Sequence, residues 1–336
     1  MGELRELSAS QQTGLLFLIV FGLLILASLA LLVRSLRPDP RPAQRLSLAG
    51  LQRDLRAVWI GSLLFWLSWL GGPLGATLLF GLFSFLALRE FITLMHTGRS
   101  DHRALILAFF LVLPLQYLLV GTRRFDLFSV MIPVYAFFAL PVASALAGDP
   151  QRFLERNAKI QWGIMVCVYG LSHTPALLLL NFPRHGGRGA FLVFFLVVVV
   201  GLGQIVQGWA SRRLPGRPVV RQIDRRFSWR AWAGGTLAAG LAGALMYWAT
   251  PFKPLQAMSL ALIAAGSGLL GELVMQALKR DAGVRHWGHR VAAAPPGAEG
   301  LGTVTGAVGL LDRMAALCFA APVFFHAVRW YFSLGR

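Results

Sequence analysis

The chain has 336 residues, of which 56% are hydrophobic and 14% charged, with a formal net charge of +18 and two cysteines. Positive mean hydropathy at that length excludes a soluble domain of ordinary surface polarity, and two cysteines argue for neither a disulfide framework nor a thiolate metal site. The positive charge would suit nucleic acid, but it is spread over the connections between apolar runs, which points to lipid headgroups instead.

In chain order, the apolar runs predict about ten transmembrane helices, over 14–34, 57–72, 74–95, 104–121, 126–147, 159–182, 190–210, 231–250, 254–278 and 314–334. Each is close to the roughly 20 residues that span a hydrocarbon core as a helix. The second is short and is parted from the third by Gly71, Gly72 and Pro73, a turn at the membrane surface. The first is read as a retained span, because no small-residue cleavage site follows it. The expected fold is an all-α, polytopic integral membrane protein, one membrane domain over 1–336. Roughly three quarters of the Lys and Arg fall in the odd-numbered connections, which places these inside and both termini outside a bacterial-type inner membrane. Cys167 and Cys318 lie within spans and read as small core residues, and Trp330 and Tyr331 as interface anchors.

Two long connections on the inner side carry most of the polar chemistry. In 211–230 the turn "LPGRP" precedes a basic cluster that includes Arg225, Arg226 and Arg230. Guanidiniums suit bidentate phosphate binding, and equally a lipid-facing anchor. In 279–313 the stretch "GLGTVTG" has no strand before it and the wrong spacing for a dinucleotide fingerprint.

The chain holds only 14 carboxylates, most of them in connections. Glu272 and Asp312 differ: one precedes the end of the ninth span and the other opens the tenth. A charge at such depth normally faces a polar cavity or a partner, and helical spacing aims Glu272 along its helix toward Lys279. Glu90, after Arg89, reads as an interfacial ion pair. His173 precedes Pro175 in mid-span, where it either lines a lipid cavity or bonds the carbonyl that the proline frees; a lone histidine makes a poor metal site.

"GELVMQALKRDAGV" followed by "GLLDRMAALCFAAPVFF" resembles the carboxy-terminal signature of phosphatidate cytidylyltransferases, the CDP-diacylglycerol synthases. "LALREF", "GDPQRFLERNAKIQWG", "LSHTPALLLL" and the pair Gln204 and Gly208 are similar to bacterial members as well, so the resemblance covers most of the chain. It implies a polytopic helical protein with a cytoplasmic active site that joins CTP to phosphatidate and releases pyrophosphate. It also implies magnesium held by carboxylates, with basic groups on the lipid phosphate. Carried over residue by residue, Glu272 and Asp312 are the expected metal ligands. Lys279, Arg280 and Arg313 join Asp312 as expected catalytic residues, and Arg225, Arg226, Arg230, Gln204 and His173 are expected to bind phosphate or lipid.

The departures from the family pattern fall on its acids. Glu272 stands for an Asp, and Gln276 for a Ser. Arg285 and His286 replace a Lys-Asp pair, and Ala307, Val308 and Gly309 stand where His-Gly-Gly is expected. Gly201 and Ala315 replace two further Asp residues, and Arg230 a Glu. Hard cations need anionic oxygen, so the resemblance implies a relative in which cytidylyl transfer is weak or lost. Binding of an anionic phospholipid, or of a partner protein, would remain. The alternatives are an active magnesium-dependent enzyme making CDP-diacylglycerol and a lipid-moving protein; a homodimer stays open.

Overall fold

In hydrocarbon a backbone must satisfy its own N–H and C=O groups, and a helix does so within one segment. In the computed structural model the apolar runs are accordingly helices, and the only β-bridge among the described residues joins Val220 and Asp224. The structure describes residues 9–36, 70–95, 98–180, 189–214, 219–284 and 309–334, parts of 48–67, and Phe182, Arg217 and Trp287.

In chain order the helices are α1 (Ala9–Ser35), α2 (Gly72–Leu94), α3 (Arg99–Gly121), α4 (Phe125–Ala145), α5 (153–178), α6 (Gly189–Arg213), α7 (Trp229–Leu245), α8 (Pro254–Asp281) and α9 (Leu310–Tyr331). All of these except α5 and α7 are long and apolar enough to cross a membrane, and the chain is a multi-pass membrane protein. The two exceptions still occupy predicted spans. α7 has 17 residues, and α5 opens on the polar run "FLERNAKIQ" before becoming apolar. The expected span 57–72 falls on residues described only in part.

Two compact units divide the chain, Met1–Ala76 and Thr77–Arg336. In the first, Trp59 Nε1 donates to Ser28 Oγ on α1 at 3.1 Å, and Trp66 meets Phe17 edge-on. The second holds every residue of the candidate site.

Within it the helices pack through small residues. A side chain at Gly170 of α5 would overlap the backbone of Cys318 on α9, and one at Gly271 of α8 would overlap the Phe319 ring of α9. A side chain at Gly235 of α7 would likewise press on the Gly203 carbonyl of α6. Such contacts let helix backbones approach where no hydrophobic drive separates protein from lipid. α3, α4 and α5 each carry one π turn, at Ala108–Val112, Met131–Ala136 and Met165–Gly170. The second contains Pro133, which has no N–H for the regular ladder, and such insertions are known causes of local widening.

The ends of α3 and α5 are joined by a buried ion pair. Arg156 gives Nε to Asp101 Oδ1 and Nη1 to Asp149 Oδ2, each at 2.8 Å, and also bonds the Gln151 carbonyl. Asp101 is fully buried, so its charge is tolerable only because Arg156 and the Gly98 N–H meet it. Around this pair lies an open groove of about 520 Å³ lined by Arg99, Arg152 and Glu155 among others.

Candidate functional site

α6 and α8 run side by side: Val200 neighbours Gly268, and four residues further on Gln204 Nε2 donates to Glu272 Oε2 at 2.9 Å. α9 returns antiparallel to α8, so Gly271 faces Phe319 while Lys279 faces Asp312. The site therefore has two polar levels. Glu272 and Gln204 form the inner one. Lys279 and Asp312 form the outer one, seven residues or roughly 10 Å nearer the helix ends at 1.5 Å per residue.

At the outer level the Lys279 ammonium donates to Asp312 Oδ1 at 2.7 Å. The other oxygen, Oδ2, accepts the backbone N–H of Trp287 at 3.0 Å. Lys279 is 8% exposed, its methylenes packed and its head held by Asp312. The expected alignment of Glu272 with Lys279 is not what forms. Two turns separate them on α8, and the long lysine side chain instead reaches across to the acid at the start of α9.

Glu90 was read as interfacial, and the structure corrects that. It is 4% exposed, and its Oε2 accepts the Leu310 N–H at 3.0 Å, at the first turn of α9. That end of α9 has unpaired N–H groups and the positive pole of the helix, so a carboxylate there is favoured. Beside it the buried Trp287 ring stacks on Phe91 with centroids 5.4 Å apart. Among the described residues, the buried Glu90 Oε1 and Trp287 Nε1 have no hydrogen-bond partner. The sequence carried one usable signal for Glu90, an acid in an otherwise apolar helix of a chain with few acids. For Trp287 it carried none.

The basic residues divide into two sets. Arg280 Nε donates to the Ile223 carbonyl at 3.3 Å and so docks the connection before α7 onto the end of α8. That connection is a tight turn, with Asp224 Oδ1 accepting the Arg226 N–H at 2.8 Å and Ser228 capping α7. Arg225, Arg226, Arg230 and Arg313 are exposed, with their charges in solvent or headgroups. His173 is not part of this constellation. Its Nδ1 donates to the Tyr169 carbonyl at 2.7 Å, not to the carbonyl that Pro175 frees, and it lies toward the other end of the helices. Arg285, His286, Ala307 and Val308 lie outside the described residues.

These positions test the expected magnesium site. The ion takes oxygen ligands at about 2.1 Å in near-octahedral order. Asp312 already gives one oxygen to an ammonium and one to a backbone N–H, and Glu272 lies a level away, so one ion does not reach both. Among the described residues, no three His, Cys, Asp or Glu side chains gather as a metal site. Among the described residues the donor set does not fit the magnesium site that the resemblance implied. There is room at one lost position, because a side chain at Gly201 would meet nothing within 4 Å.

Comparison with known proteins bears on the same residues. A model of the cytidylyltransferase family matches residues 51–331, which takes in every helix of the site. The chain is also 34% identical over 279 residues, 81% of its own length and 85% of the other's, to the uncharacterized protein YnbB of Escherichia coli K12.

Proposed function

The chain belongs to the cytidylyltransferase family, and from that premise we propose that it binds an anionic phospholipid in the family's cavity while its cytidylyl transfer is weak or lost. One observation carries the reading: the ammonium of Lys279 sits on Asp312, where the family's chemistry would place a divalent cation. Transfer from a nucleoside triphosphate depends on neutralising charge that grows on the phosphates, and metal ions held by carboxylates supply this in related chemistry. A lysine already neutralised by Asp312 supplies less. Binding a lipid phosphate asks only for hydrogen-bond donors and net positive charge at the headgroup level. Arg225, Arg226, Arg230 and Arg313 offer these at the same end of the helices, with guanidinium geometry suited to phosphate oxygens. The same basic residues fit the inner face of a bacterial cytoplasmic membrane, with both termini outside.

The test is a pair of measurements on the full chain in detergent or liposomes. With CTP, magnesium and phosphatidate, CDP-diacylglycerol should stay at or near background even at high protein load. Phosphatidate should nonetheless bind in preference to phosphatidylcholine, and binding should weaken in Arg225→Ala/Arg226→Ala. Robust magnesium-dependent turnover would sink the reading in favour of an active phosphatidate cytidylyltransferase. Equal binding of the two lipids would remove the cavity from it.

A further inference from the structure

α5 and α9 bring two imidazoles and a phenol together about 21 Å along α9 from Asp312, near the opposite end of the helices. His326 Nε2 is 3.2 Å from His173 Nε2 and 3.2 Å from Tyr169 Oη. His173 is fully buried, with Phe128 and Phe325 at ring-centroid distances of 4.6 and 5.1 Å, while His326 is half-buried. Of this cluster His173 belongs to "LSHTPALLLL", Tyr169 lies just before that stretch and His326 on α9, and none takes part in the site above.

The protons can be followed atom by atom. The Tyr169 carbonyl only accepts, so His173 Nδ1 carries the hydrogen of their 2.7 Å bond and Nε2 of the neutral ring is a lone pair. The Tyr169 hydroxyl has two acceptors, His326 Nε2 at 3.2 Å and the Ser129 carbonyl at 3.4 Å. Donated to the nearer, it makes His326 Nε2 a lone pair too. Two ring lone pairs then face each other across 3.2 Å, which a cation between them satisfies; with the hydroxyl turned to Ser129 instead, His326 Nε2–H donates to His173 Nε2. A proton on His326 is one such cation.

We propose that a late first-row transition-metal ion of the Zn²⁺ or Cu²⁺ class is another, held by His173 Nε2, His326 Nε2 and Tyr169 Oη. Nitrogens 3.2 Å apart, each about 2.05 Å from one ion, subtend roughly 100° at it, close to tetrahedral. Imidazole suits these metals. The bond from His173 Nδ1 to a backbone carbonyl is the kind of outer contact that fixes the tautomer and orientation of a ligating ring. On binding, the Tyr169 phenol proton leaves to solvent, so the phenolate offsets one of the two charges. The nearby Arg329 is paired with Asp126, which limits its repulsion. Three protein ligands leave a fourth position open beside the half-buried His326.

The full chain in detergent, stripped with chelator, is titrated with Co²⁺ and then with Zn²⁺ in competition. One equivalent of Co²⁺ should give the visible absorption of a tetrahedral ion, bleached by Zn²⁺. Affinity should drop at least about tenfold in Tyr169→Phe, and the signal should vanish in His326→Gln. Asp312→Asn should bind as the parent does, which separates this site from the carboxylates at the other end. The metal-free melting temperature of each variant guards against loss by misfolding, and Tyr169→Phe decides alone if His326→Gln does not fold. No tetrahedral signal in the parent, or equal uptake by the parent and both ligand variants, overturns the proposal.

Discussion

Lys279 and Asp312 show how one contact sets the character of a site. Their side chains are 10% and 23% exposed, so the pair is mostly out of water. Removing one partner strands the other, which costs about 3–5 kcal/mol for a fully buried pair. With partial exposure, Asp312→Asn is expected to cost about 2 kcal/mol, read as a lowered melting temperature in detergent. An unchanged melt would mean that water already meets both groups. Gly201 makes the opposite prediction. Open space surrounds it, so Gly201→Ala should be neutral or stabilise by about 0.5–1 kcal/mol through helix propensity. Returning Asp at 201, 286 and 315 together should raise magnesium affinity if the cavity is intact, as isothermal titration would measure. At this scale the sequence named Asp312 and Lys279 but not their union, because the residues are distant in the chain and meet only when α8 and α9 pack. It misplaced Glu90 for the same reason: adjacency to Arg89 is visible in a sequence, and proximity to the first turn of α9 is not.

Between helices, glycines decide how closely backbones approach. Gly170→Ala and Gly271→Ala would each drive a methyl into α9, and overpacking of this kind costs about 1–3 kcal/mol. Both should melt below Gly201→Ala, and parity among the three would mean that α9 shifts without penalty. The junction of α3 with α5 answers to pH. Ser100 and the Gln151 N–H donate to Asp149, and Arg156 lies against it, which holds the Asp149 carboxyl below its ordinary range. A depressed folded value stabilises above the unfolded value, and that stability is lost as pH falls through the folded one. Melting temperature should therefore fall on acidification below about pH 4 more steeply in the parent than in Asp149→Asn. Parallel curves would show that Asp149 does not contribute. "GDPQRFLERNAKIQWG" was legible as a family feature, but its partner Asp101 was not, lying some fifty residues earlier in the first turn of α3.

For the molecule as a whole, orientation is the claim most open to a direct experiment. Cys167 and Cys318 are buried, so an introduced cysteine reports against a low background. In cells, Arg226→Cys should resist an impermeant maleimide added outside, and Arg123→Cys should react with it. The reverse pattern would invert the assigned topology. Hydropathy alone determined that this chain crosses a membrane many times as helices, since a bilayer admits few other ways to satisfy a backbone. Ordered motifs along the chain likewise marked the family. What only the tertiary structure decided is the pairing of polar groups: Lys279 with Asp312, Glu272 with Gln204, Glu90 with the start of α9, and His173 with His326. The physical reason is that periodicity tells which face of a helix is apolar, whereas the partner of a buried polar group is fixed by the helix that packs against it.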